Sequence, residues 1–257
     1  GNGGGGGAND SLSGMGGPGV GTGGYGGSGG AGVAATGAMI VNGGTITGGV
    51  GGAAGPIVGS GSNGTAGAGA AGISGSNLMI VNSGSIAGGS GASAISFAGG
   101  SNYLTTNSGG SYTGTIDISN ASSGNLTLAQ TTAAGATGNA SYSNVFSGSG
   151  AIIVTSDSGY AVTLGGANTY SGGTSLSAGT LVIGNDNALG SGTLAMAAGT
   201  TLSFASTGNF TVANNITISG DPTFAPAAGT TQTLSGLISD GTSPGFLEMV
   251  GPGTLVL

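Results

Sequence analysis

The stretch Val162–Ile183, VTLGGANTYSGGTSLSAGTLVI, decides the fold. Val162 and Leu164 alternate with Thr163. Turns follow at Gly165-Gly166 and Gly172-Gly173, with Asn168-Thr169-Tyr170 between them. Thr174–Ser177 is a short polar strand, Ala178-Gly179 another turn, and Thr180–Ile183 a β-branched run. Strands bounded by Gly, Asn and Ser at such short intervals predict an all-β coil. The same grammar returns at Gly192-Thr193-Leu194, Gly199-Thr200-Thr201-Leu202 and Gly253-Thr254-Leu255. A strand-and-turn unit repeated in this way predicts a solenoid.

Leu164–Met196, LGGANTYSGGTSLSAGTLVIGNDNALGSGTLAM, resembles the passenger-associated repeat of bacterial autotransporters (type V secretion). The family pattern has an NTY-S/T-GGT core, a GTL strand and a GN-x-x-ALG turn. Here these are Asn168, Thr169, Tyr170, Gly172, Gly173 and Thr174, then Gly179, Thr180 and Leu181, then Gly184, Asn185 and Gly190. The resemblance covers about a third of the chain, with Gly-Thr-Leu echoes to its end. It implies a right-handed parallel β-helix carried across two membranes and displayed on the extracellular side of a Gram-negative outer membrane, or secreted. It also implies a translocator β-barrel elsewhere in the full-length chain.

Composition narrows the chemistry. Of 257 residues 65 are Gly, without the strict third-residue period of collagen. Lys, Arg and His are absent, and seven acids remain: Asp10, Asp117, Asp157, Asp186, Asp221, Asp240 and Glu248. No side-chain salt bridge can form within the chain. Nucleic-acid binding is disfavoured, because no cation exists to displace counterions. The same argument opposes an anionic membrane surface. The mean hydropathy of +0.33 and the β-branched strands argue against disorder throughout. Cysteine is absent, so neither a disulfide framework nor a thiolate metal site is available. The longest aliphatic runs, Ala38–Val41, Leu78–Val81 and Ala151–Val154, fall far short of the ~20 apolar residues of a membrane helix, so no membrane insertion by this segment is expected. With no signal peptide at Gly1 and a repeat-like opening at Val250–Leu257, the expectation is a piece of a larger protein.

Residues 1–31 read as a Gly-rich, flexible or irregular lead-in. Residues 32–110 carry a repeat offset by forty: Met39-Ile40-Val41-Asn42 returns as Met79-Ile80-Val81-Asn82, and Gly32-Val33 as Gly72-Ile73. Each forty-residue unit is expected to span about two coils, its Gly-rich half forming loops or short glycine strands. Residues 111–161 continue the coil, with a loop near 131–146. Residues 162–257 hold the passenger-type repeats, whose inward positions by alternation run from Val162 and Leu164 to Leu237, Met249 and Leu257. No segment has helical periodicity. Coils of ~20–25 residues would give roughly eleven turns and a rod of about 50 Å.

Catalysis is limited by what is missing. A Ser-His-Asp triad lacks its base. Paired carboxylates could still work on a glycosidic bond, but the seven acids are scattered. Asp157-Ser158-Gly159 matches the aspartic-protease tripeptide and reads as a turn. GNGGGGG has dinucleotide-site spacing but neither follows a strand nor opens a helix. Calcium sites need several oxygen ligands, and no regular Asp is present. The expectation is therefore no enzyme, no cofactor and no metal. Asn42, Asn82, Asn107, Asn168, Asn185 and Asn214 are expected at left-handed corners or in internal stacks. Thr45, Thr47, Thr163, Thr180, Thr193, Thr211 and Thr217 are expected to face outward. The reading is a structural or adhesive surface segment, a stalk or adhesin shaft, meeting host matrix, glycans or its own kind. The alternative is a solenoid that binds ice or carbohydrate through an exposed Thr/Ser/Asn face.

Overall fold

The computed structural model describes residues 24–56, 62–119 and 125–257. Every strand pairing in it is parallel, as a chain winding repeatedly in one direction requires. Nine strands make one uninterrupted long sheet: Met39–Asn42, Met79–Asn82, Asn102–Thr106, Asn125–Gln130, Ala151–Ser156, Thr174–Ala178, Leu194–Met196, Ile216–Gly220 and Ile238–Gly245. A five-stranded sheet flanks it from Val33–Thr36 to Phe146–Ser147. A six-stranded sheet runs from Ala140–Tyr142 to Glu248–Met249, and two sheets of three strands complete the walls. The fold is a β-solenoid of about eight turns. Its single helical element among the described residues is the 3-10 turn Thr132–Ala134.

Alternation builds the core. In Ala161–Leu164, Thr180–Ile183 and Thr201–Phe204 every second residue is buried. Parallel register stacks these residues into columns: Val162 on Leu181 on Leu202 on Phe224, and Leu164 on Ile183 on Phe204. In the long sheet Ile80, Leu104, Leu128, Val154, Leu176, Met196 and Ile218 form one inward column. Each fully buried aliphatic side chain stabilises the fold by roughly 1.5–3 kcal/mol. The backbone ladder satisfies the polar groups, and none of the buried side-chain N or O atoms among the described residues lacks a partner.

Two expectations are corrected. The forty-residue unit is one turn, not two: Ile40 pairs directly with Ile80, and the amide of Asn42 donates to that of Asn82 across |i−j| = 40. Later turns take 19 to 30 residues, as from Val162 to Leu181 and from Ile116 to Phe146. The described residues make about eight turns where eleven were expected, a ladder of roughly 40 Å, and the long first turn accounts for one of the difference.

The extra residues of that turn form a glycine bundle. Gly26, Gly29 and Gly32 donate to the carbonyls of Thr65, Ala68 and Ala71. Gly67 and Ala70 donate to Gly52 and Gly49. Gly49, Gly52 and Gly55 donate to Gly30, Gly27 and Gly24. Three segments thus close a triangle of hydrogen bonds. The bonds recur at every third residue, the period of a polyproline II helix rather than of a strand. A Cβ at Gly29, Gly51 or Gly67 would sit closer than 3.0 Å to a neighbouring backbone, so only glycine permits this approach.

The last turn departs from simple alternation. Ile238, not Leu237, pairs with inward Ile216; Leu237 is 68% exposed. Met249 stands in the column of Phe224 yet is 46% exposed, because no described turn covers it. Asp240 takes the position after Ile218 in the long-sheet column.

Candidate functional site

The passenger-type motif forms corners of the coil. Asn168 is buried; its Oδ1 accepts from the Phe146 N–H at 2.8 Å and its Nδ2 donates to the Ala188 carbonyl at 2.6 Å, tying three turns together. The Thr169 N–H donates to Phe146. Tyr170 is buried and shares a hydrogen bond with Thr174 at 2.5 Å; burial raises its phenol well above the ordinary value. Gly172 passes against the Gly150 backbone, and Gly173 (φ 85°) leads into Thr174, whose N–H donates to Thr193. Gly179 (φ 77°) turns against Ser156, whose hydroxyl accepts from the Thr180 N–H; Leu181 is core. Gly184 donates to Leu164, Asn185 caps its own turn by accepting from the Asn187 N–H, and Gly190 (φ 60°) crosses Tyr170. Each of these residues serves the coil geometry.

The other candidates fall into place in the same way. Asp157-Ser158-Gly159 is a turn with Gly159 at φ 87°. Asp117 accepts from Ser119, Asp186 from the Thr211 N–H and Asp240 from the Gly245 N–H. Asp10 lies outside the described residues. Among the described residues no three His, Cys, Asp or Glu side chains converge. Of the six asparagines none takes a left-handed corner; five bond across turns, as Asn42 to Asn82 and Asn214 to Gly192, and Asn185 bonds within its own turn. Among the described residues the left-handed asparagine is Asn77, φ 54°. The seven threonines are exposed or half-buried, as expected, but they sit on different sheets. A local ladder does exist, Thr180 on Thr201 on Thr223, with the last two hydroxyls 2.8 Å apart.

The outer face of the long sheet differs along its length. One outward column reads Met39, Met79, Tyr103, Thr127, Ile153, Ser175, Ala195, Thr217, Ser239. Its first half carries large apolar side chains and its second half small ones. Beside the first half stands a wall, Thr131–Thr137. Wall and sheet enclose a groove of about 430 Å³, floored by Met79, Tyr103, Thr127 and Ile153 and sided by Thr131, Ala133 and Ala134.

The wall is held at many points. Thr131 caps the 3-10 turn by accepting from the Ala134 N–H. The Thr132 N–H and hydroxyl both donate to Asp157 Oδ2, at 2.7 and 2.8 Å. The Asn107 amide donates to Gly135 and accepts from the Thr137 N–H, both at 2.9 Å. Thr105 donates to Ala129 and Ala134, and Gln130 to Gly138. The backbone bond from Thr132, and then its hydroxyl, hold the Asp157 carboxyl below its ordinary value. Residues far apart in sequence thus fix one rigid rim. The alternation of strands gives no sign of it, since the wall sequence TTAAGAT has no periodic pattern.

No protein-family model, curated protein or solved structure matches this chain.

Proposed function

We propose that this chain is the shaft and contact surface of an extracellular adhesive protein, a passenger-type segment exported by type V secretion. A β-solenoid fold is consistent with a structural or adhesive repeat protein. The observation that carries the reading is the outer face of the long sheet, where Met79, Tyr103 and Ile153 are presented in register beside a preorganised wall. The described carboxylates with recorded bonds accept from turn N–H and hydroxyl groups, an arrangement suited to holding loops rather than to transferring protons. Cell-surface placement rests on the resemblance of Leu164–Met196 to passenger repeats.

Beads coated with the purified chain test adhesion. They should bind extracellular-matrix films, or each other, above beads coated with albumin; equal behaviour on every surface would overturn the reading. Protease treatment of intact source cells tests display, since an internal protein would survive it. A second reading, ice or carbohydrate binding, has the Thr180–Thr201–Thr223 ladder in its favour. It requires a wider plane than three rungs; Thr163 shares the sheet but stacks on Val182, and Thr45, Thr47, Thr211 and Thr217 lie on other sheets.

A further inference from the structure

We propose that the groove beside the Thr131–Thr137 wall receives the lysine or arginine side chains of a basic protein partner. The inference rests on the adhesive reading and names the chemistry of its partner. Three features point to this occupant.

The first is sign. The chain has seven carboxylates and no Lys, Arg or His. Its field therefore attracts cations and repels strongly anionic partners.

The second is the composition of the groove. Tyr103 is 42% exposed and Met79 46% exposed, side by side on adjacent rungs, with Ile153 two rungs further on. An aromatic face flanked by aliphatic and thioether groups suits a side chain with an apolar stem and a cationic head: the stem packs, and the head lies over the ring.

The third is the position of Asp157. It comes directly after the strand Ala151–Ser156 that carries Ile153 and Thr155 of the groove, and its Oδ2 anchors the wall through Thr132. Its Oδ1 accepts no hydrogen bond among the described residues, and the residue lies just past the groove, lining a neighbouring pocket with Gly179, Thr180 and Thr201. Bonded to Thr132, Asp157 sets a negative charge directly behind the wall and so favours a cation in the groove. Because the wall is already fixed by Asn107, Thr105 and Gln130, binding requires little ordering of the protein.

The test is fluorescence anisotropy with labelled oligolysine, and oligoglutamate of equal length as control. Oligolysine should bind the intact chain and oligoglutamate should not. Tyr103→Phe should keep the affinity, whereas Tyr103→Leu, which preserves an apolar floor, should weaken it about threefold. Asp157→Asn should weaken it by a similar factor of about three. Asp240→Asn, which changes the net charge equally at the last turn, should have little effect. Equal losses for Asp157→Asn and Asp240→Asn would reduce the binding to diffuse attraction and overturn the proposal. So would full affinity in Tyr103→Leu, or no binding of oligolysine by the intact chain. The adhesive reading fails separately: beads that capture oligolysine but adhere to nothing refute adhesion and leave the groove. Beads of Tyr103→Leu that adhere as well as the parent, with no oligolysine affinity in either, refute the groove and leave adhesion.

Discussion

Adjacent glycines in the bundle should respond to alanine with opposite signs. A Cβ on Gly29 would fall closer than 3.0 Å to both the carbonyl carbon and oxygen of Gly49, while one on Gly30 meets nothing within 4 Å. Neither glycine adopts the left-handed backbone that would strain an alanine. To admit the methyl of Gly29→Ala, the segments must part by about an ångström or more. Three hydrogen bonds depend on that approach: Gly29 to Ala68, Gly49 to Gly30 and Ala70 to Gly49, at 2.9, 2.7 and 2.9 Å. At about 1 kcal/mol net each, Gly29→Ala should cost the bundle roughly 3 kcal/mol. Gly30→Ala should instead stabilise it by about 0.5–1 kcal/mol, because it restricts the unfolded chain and clashes with nothing. Native-state hydrogen exchange at the Gly26, Gly52 and Gly67 amides reads the local stability, with the Leu128 amide as a reference in the solenoid core. Gly29→Ala should speed exchange at the three bundle amides and leave Leu128 unchanged. Equal effects from the two substitutions would refute the close-packed triangle.

Leu128 is buried between Leu104 and Val154 in its column, so Leu128→Ala should cost about 3 kcal/mol in urea unfolding, and Leu255→Ala, half-buried in the last turn, clearly less. Burial pushes the Tyr112 phenol up to about 12 and raises Tyr142 and Tyr170 as well. A raised phenol keeps its full stabilisation below the ordinary value of 10.0 and loses it as the pH climbs through the folded value. Tyr112 alone should remove about 3 kcal/mol by the end of that window, and tyrosinate absorbance should appear together with loss of β-sheet circular dichroism. In acid the sign reverses for Asp157. Its lowered carboxyl keeps the wall bonds intact above the ordinary 3.8 and releases them as the pH falls through the lower folded value. The Thr132 amide resonance should follow that titration, and Thr132→Ala should shift it toward the ordinary value.

The C-terminal half was legible because its strands alternate cleanly. Val162, Leu164, Leu181, Ile183, Leu202 and Phe204 point inward as period two requires, since each lies between turns above and below. Alternation misplaced Leu237, because it cannot tell which of two neighbouring apolar residues register selects; pairing with Ile216 chose Ile238. The forty-residue repeat was visible, but its turn count was not. A glycine segment has no side chains whose period could separate a strand from a three-residue helix, so the bundle had no apolar signature. The groove was hidden for a different reason. Its floor residues come from four strands and its wall is fixed by Asn107, Thr105 and Asp157, contacts that only the register of the coil brings together. The repeat motif at Asn168–Gly190 was recognisable by spacing, and its residues do structural work at the corners.

Cross-linking across the first turn tests the account most directly. The chain has no cysteine, so an engineered pair has no competitor. Met39 and Met79 face outward on directly paired positions of adjacent rungs. Strand neighbours lie about 4.8 Å apart, within the range a disulfide spans. The double variant Met39→Cys with Met79→Cys should therefore oxidise to an intramolecular disulfide under mild conditions, while Met39→Cys with Val81→Cys, two residues out of register, should form it far more slowly. If forty residues instead made two coils, Met39 and Met79 would stand about 10 Å apart, beyond the reach of a disulfide. Failure of the first pair to close would contradict the single long turn and its parallel register.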